Sequence, residues 1–321
     1  MAEDNPEPNL SDLGYGVTTC IAAITGRAGL NQEQDSIVTA SDTKLSFGGD
    51  FSADGSVKIH VFHREWGTMI AGDDITQYIP VIERARALLR GKSGKLMVVM
   101  DAFKKAYQQE FKAAIEDGLL SRFEMTMEDF KKHGKTQLLP EVFTELSLKI
   151  KIASLGCRFL VYGLDDRKIA HIFTVSNPGK CELRDKPGFW AIGKGATSAL
   201  SMLAALRQVR GRTTFDETIY NVLAAKYISE SASDVGKETY LYIKKYGCDG
   251  FSNKLALEEE VRGIWEKEGR PTTNVAAVNA IKNGEFFFYP RLKARLRKKL
   301  VALTPPRSQQ LQNGTDDTEV S

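Results

Sequence analysis

The apolar positions of this chain follow two periods, arranged in blocks. Residues 17–24, 35–41, 57–62 and 66–71 are short β-branched or alternating runs, separated by clusters of Gly, Asp and Asn. Such runs predict strands joined by hairpins. A helical period follows. Ile79, Ile82, Ala85 and Leu89 recur near 3.6 residues within 76–90. Met97, Met100, Phe103, Tyr107 and Phe111 recur at three and four residues within 95–120, which predicts a second helix with these side chains in the core. Residues 121–150 are polar and mixed, and predict helical pieces at most. Strand-like runs return at 157–162, 169–175, 181–183 and 189–192. Gly193-Lys194-Gly195 then opens a helix over 197–209, and a further helix covers 215–229. One more strand is predicted at 239–244 and a helix at 255–268. Strands and helices come in groups rather than in alternation, which predicts an α+β fold of two antiparallel sheets, each covered by helices.

The two ends differ from this body. Residues 1–16 are acidic and contain Pro6 and Pro8, which predicts a flexible leader or propeptide. Residues 17–285 are expected to form the folded domain, with a helical insertion around 91–150. The remainder, 286–321, is first basic and amphipathic (291–299); from 304 it is polar and proline-containing, and that part is predicted to be disordered.

Composition narrows the function. Of 321 residues, 42% are apolar, too many for a disordered chain. The 44 basic and 41 acidic groups leave a net charge of +3, which gives no footprint for nucleic acid. No apolar run approaches the roughly 20 residues of a membrane span. The start lacks the basic and apolar segments of a secretory signal. Cys20, Cys157, Cys181 and Cys248 are scattered without a CxxC pair, so neither a zinc ribbon nor a disulfide framework is expected, and a cytoplasmic location is. His60 and His63 would face opposite sides of one strand, so no metal site is expected. No GxxxxGK[ST] loop is present, and no cofactor is expected.

Four short stretches carry candidate chemistry: Gly16-Val17-Thr18-Thr19-Cys20-Ile21-Ala22, Thr39-Ala40-Ser41-Asp42-Thr43, Val57-Lys58-Ile59 and Met69-Ile70-Ala71-Gly72-Asp73. Lys58 follows Asp42 by sixteen residues, and Gly72 follows Lys58 by fourteen. In order and spacing this set resembles the proteasome β-subunits, a family of N-terminal nucleophile hydrolases. The likeness continues through Phe159-Leu160-Val161-Tyr162-Gly163-Leu164-Asp165, through Phe189-Trp190-Ala191-Ile192-Gly193-Lys194-Gly195-Ala196, and through 229–242 with Asp234. It spans about 16–246.

The resemblance implies a four-layer αββα sandwich and a threonine-type amide hydrolase acting on a peptide or protein. It implies Thr18 as the nucleophile, with Thr19 as the runner-up in register. A threonine hydroxyl needs a base. An N-terminal Thr18 would supply its own α-amine, whose pKa of about 7.7–8.0 suits proton transfer near neutrality. Lys58 would stabilise a developing alkoxide, Asp42 would hold Lys58 charged and oriented, and the Gly72 N–H would face the oxyanion. Asp234 would orient the Thr18 amine. A homo-oligomeric ring and a separate ATPase partner also follow from the resemblance alone.

Three positions depart from the family pattern. Val17 stands where a glycine precedes the nucleophile, and a β-branched residue disfavours the strained turn of self-cleavage. Lys194 replaces a serine and would add a second ammonium near Lys58. Lys237 stands where a small hydroxyl residue is expected. Arg27 to Gln34 also lengthens the first hairpin. These departures keep an alternative open, a proteasome-fold subunit that serves as a structural or ring component without chemistry.

Overall fold

The first strand, β1 (Thr19–Ile24), is buried at every position because both of its faces are covered. Cys20, Ala22 and Ile24 face one apolar layer, while Ile21 and Ala23 face another. The computed structural model describes residues 18–25, 35–47, 51–53, 58–72, 78–233, 235–251, 255–268, 275–284 and 287–290. Within these residues β1 is a central strand of one sheet and lies between β2 (Ile37–Asp42) and β10 (Phe189–Gly193). That sheet continues through β11 (Thr239–Lys245), β12 (Cys248–Phe251) and β13 (Phe287–Pro290).

The second sheet runs in chain order: β5 (Ile59–His63), β6 (Trp66–Gly72), β7 (Cys157–Leu164), β8 (Ala170–Ser176) and β9 (Lys180–Leu183). A two-stranded hairpin of β3 (Leu45–Phe47) and β4 (Phe51–Ala53) stands apart. Every pairing is antiparallel. Met69, Ala71, Leu160, Tyr162 and Ile172 of the second sheet pack against Cys20, Ala22, Ile24 and Tyr242 of the first, forming the middle of a sandwich.

Helices close both outer faces. Helices α1 (Tyr78–Leu88) and α2 (Leu96–Ile115) cover the second sheet with Val81, Ile82, Ala85, Val99, Phe103 and Tyr107. Helices α5 (Ala196–Ala205) and α6 (Phe215–Ser229) cover the first, joined by α7 (Leu255–Glu268) and α8 (Val275–Asn283). The capping box of Thr214 and Glu217 fixes the start of α6. The architecture is the predicted four-layer αββα sandwich. Among the described residues no helix is long and apolar enough to cross a membrane.

Several local expectations are corrected. The region read as polar with helical pieces at most contains two full helices, α3 (Met127–Gln137) and α4 (Pro140–Ile152). Thr126 and Asp129 form a capping box at α3, and Pro140 starts α4 at a position where its missing N–H is harmless. Met97, placed in the core by its spacing, is 70% exposed, because the buried face of α2 runs through Val99, Ala102, Phe103, Ala106 and Tyr107 and Met97 lies outside it. Helix α5 stops at Ala205, short of the predicted 209, and Arg207 then takes a positive φ of 53°. Strand β13 lies at 287–290, so the sheet continues past residue 285.

Candidate active site

Strand ends assemble the site. Thr18 immediately precedes β1, Asp42 ends β2, Lys58 precedes β5 and Gly72 ends β6. Thr18 is 4% exposed, Lys58 7% and Asp42 fully buried. The Lys58 ammonium donates to Thr18 Oγ1 and, at 2.9 Å, to Asp42 Oδ1. The Thr18 hydroxyl in turn donates to the same carboxylate oxygen. The backbone N–H of Thr19 reaches it at 3.0 Å, and the N–H of Gly236 reaches Oδ2 at 3.2 Å. Asp42 therefore accepts from four donors, about the capacity of a carboxylate. Its role is to fix Lys58 and the start of β1 in place.

The structure thus brings Thr18, Asp42 and Lys58 together. Thr19, the alternative in register, turns away. Its hydroxyl is buried against Gly195 and has no hydrogen-bond partner among the described residues. Gly72 packs tightly on the start of β7: a Cβ there would lie 2.5 Å from the Gly156 carbonyl oxygen. Lys194 and Lys237 are both exposed. The Lys237 carbonyl accepts from Arg262 at 2.7 Å. Asp234, Gly16 and Val17 lie outside the described residues.

Glycines let the backbone close around Thr18. Gly193 pairs with Thr19 across β10 and β1 and has φ +96°. A Cβ at Gly193 would sit 2.1 Å from the Thr18 carbonyl oxygen, and one at Gly195 would sit 2.1 Å from Thr19 Oγ1. A side chain at Gly193 would displace the start of β1, and one at Gly195 would displace the Thr19 hydroxyl and Ser229.

A second set of charges lies behind the site and was not anticipated. Lys226 on α6 is fully buried. Its ammonium donates to Glu230 Oε1 at 2.6 Å and to the Gly236 carbonyl at 2.8 Å. Burial lowers its pKa, against the opposing pull of Glu230. Glu230 also takes a two-pronged contact from Arg262 on α7, at 2.7 and 2.9 Å. Gly236 thus links Lys226 to Asp42 through its own carbonyl and N–H. The signal in the sequence was a lysine inside the apolar run Leu223-Ala224-Ala225-Lys226-Tyr227-Ile228.

Cys20 lies two positions from Thr18 but is no competing nucleophile. It is fully buried and its thiol donates to the Ile70 carbonyl at 3.4 Å. Burial pushes the thiol pKa up to about 12, although Lys58 pulls the other way. Alkylation of the folded protein near pH 8 is therefore expected to leave Cys20 unmodified, as read by peptide mass mapping. Rapid modification of Cys20 would contradict this account of the site.

Two antiparallel sheets between helical layers, with Thr18 just ahead of the first strand beside a buried Lys–Asp pair, define an α+β protein of the αββα sandwich class. Among solved structures the chain is similar to the Gly-1 mutant of Anbu from Hyphomicrobium sp. strain MC1, with a TM-score of 0.52 and 14% identity over 84% of this chain and 99% of that one. No protein-family model matches the chain. No curated protein matches it either. The resemblance to the proteasome β-subunits is accordingly corrected. The sequence carries no match to a family, and the structural likeness, to Anbu, is one of fold alone.

Proposed function

We propose that this protein is a threonine-type amide hydrolase acting on peptides or proteins, with Thr18 as its nucleophile. What supports this reading is a single arrangement: the buried Lys58 ammonium donates at once to Thr18 Oγ1 and to Asp42. An ammonium held there favours a hydroxyl on its way to an alkoxide.

The chemistry requires that Thr18 be the first residue, so the segment ahead of it acts as a propeptide. Thr18 Oγ then attacks the substrate carbonyl carbon, and its proton passes to the Thr18 α-amine. The Gly72 N–H donates to the oxyanion of the tetrahedral intermediate. Collapse breaks the C–N bond, and the leaving amine takes the proton held by the α-amine. The acyl ester left on Thr18 is then hydrolysed by a water that the same amine deprotonates.

An acylating β-lactone probe tests this. The expected result is one ester adduct, mapped by mass spectrometry to Thr18. An adduct on another residue, or none, overturns the proposal. The observation that favours the alternative, a non-catalytic subunit, is Val17 at the position where release of Thr18 must occur.

A further inference from the structure

Helix α4, in the region that interrupts the sandwich between α2 and β7, has two faces. Leu146 is buried, and Val142, Phe143 and Ile150 pack beside it against Phe130 of α3 and the end of α2. The opposite face is solvent-exposed and mixes charged side chains with two exposed apolar ones, Leu148 and Ile152. Glu141, Glu145, Leu148 and Ile152 recur at three and four residues and so form one stripe. Leu148 is 58% exposed and Ile152 is 79% exposed. Leu139, just ahead of the helix, is 70% exposed. Isolated exposed apolar residues are ordinary, but several on one short element mark an interaction surface.

The two ends of α4 complement each other. At its N-terminal end stand a knob, Leu139, and two carboxylates, Glu141 and Glu145. At its C-terminal end lies an apolar groove of about 340 Å³ whose walls include Phe111, Ile115, Leu119, Ile152 and Ala153, with Lys149 beside it. Lys149 and Lys151 give this end positive charge. In the single chain Lys149 turns back to Glu145 at 2.6 Å, a pair with both partners more than half exposed. Such a pair contributes little by itself and can exchange partners.

We infer that α4 is a self-pairing surface, on which two copies of this chain meet across a twofold axis with their α4 helices antiparallel. A twofold contact requires each surface to complement itself under rotation. Antiparallel α4 helices meet that requirement. Each Leu139 enters the partner copy's groove, and the acidic half of one helix lies along the basic half of the other. A parallel arrangement would set like charges together and leave both grooves unfilled. The helix is about 20 Å long, so knob and groove are far enough apart for both contacts to form at once. This inference does not depend on Thr18 chemistry.

Sedimentation of the full chain tests it, using two half-inverted variants. Glu141→Lys/Glu145→Lys makes α4 positive along its length, and Lys149→Glu/Lys151→Glu makes it negative. All four side chains are exposed, so helix content and thermal midpoint are expected to stay near wild type. Each variant alone is expected to sediment at half the wild-type mass, with self-association weakened at least about tenfold. An equimolar mixture is expected to regain the wild-type mass. Leu139→Glu, which removes the knob, is expected to dissociate without rescue by either partner. A wild-type chain that sediments as a monomer, variants that associate like wild type, or loss of association that mixing does not restore would each overturn the inference.

Discussion

Thr18→Ala is expected to bring peptide hydrolysis down to background, a fall in kcat/KM of about 10³–10⁶-fold. The mutation removes the atom that would carry the acyl group. It leaves the Lys58–Asp42 contact at 2.9 Å and the Thr19 and Gly236 N–H bonds to Asp42 in place. The fold should therefore survive, with a thermal midpoint close to wild type. Thr18→Ser, which keeps the hydroxyl, should retain measurable turnover. Hydrolysis of a peptide library and thermal unfolding, measured on the same samples, separate lost chemistry from lost structure. Hydrolysis by Thr18→Ala at the wild-type rate would remove Thr18 from the mechanism.

Asp42→Ala carries the largest expected effect on stability. The side chain is fully buried, and its removal strands the Lys58 ammonium, itself 7% exposed, together with two backbone N–H groups. A buried charge without its partner destabilises a protein by about 3–5 kcal/mol. For a chain of this size that lowers the thermal midpoint by roughly 10 °C. Asp42→Asn keeps one acceptor oxygen and should lose less. The double variant Asp42→Ala/Lys58→Met leaves no orphaned charge and should regain much of the stability, without regaining hydrolysis. If Asp42→Ala unfolds at the wild-type temperature, the pair is not the buried anchor described here.

The central layers were legible because their strands carry local signals. The runs at 17–24, 35–41, 66–71 and 157–162 are β-branched and bounded by turn residues, and each became a strand of the sandwich. Helix α3 was hidden because its sequence is mostly polar; its burial rests on Phe130 and Gly134, the latter packed against the Phe130 and Phe143 rings. Met97 misled because it is three residues from Met100 yet lies outside the face that Val99, Ala102, Phe103 and Ala106 bury. Strands β12 and β13 are four residues each, too short for alternation to register. At the site, the spacing of Asp42, Lys58 and Gly72 was readable because each ends or precedes a strand. Lys226 and Gly236 were not, because their link to Asp42 runs between a helix and a loop that only tertiary packing brings together.

The central claim is that Thr18 supplies both nucleophile and base, and that depends on a free α-amine. Intact mass and N-terminal sequencing of the purified native protein test it most directly. The account predicts a mature chain that begins at Thr18, with the residues through Val17 removed. A hydrolytically active chain that still carries Val17 ahead of Thr18 would contradict it, since the nitrogen of Thr18 would then be an amide, whose delocalised lone pair cannot accept a proton.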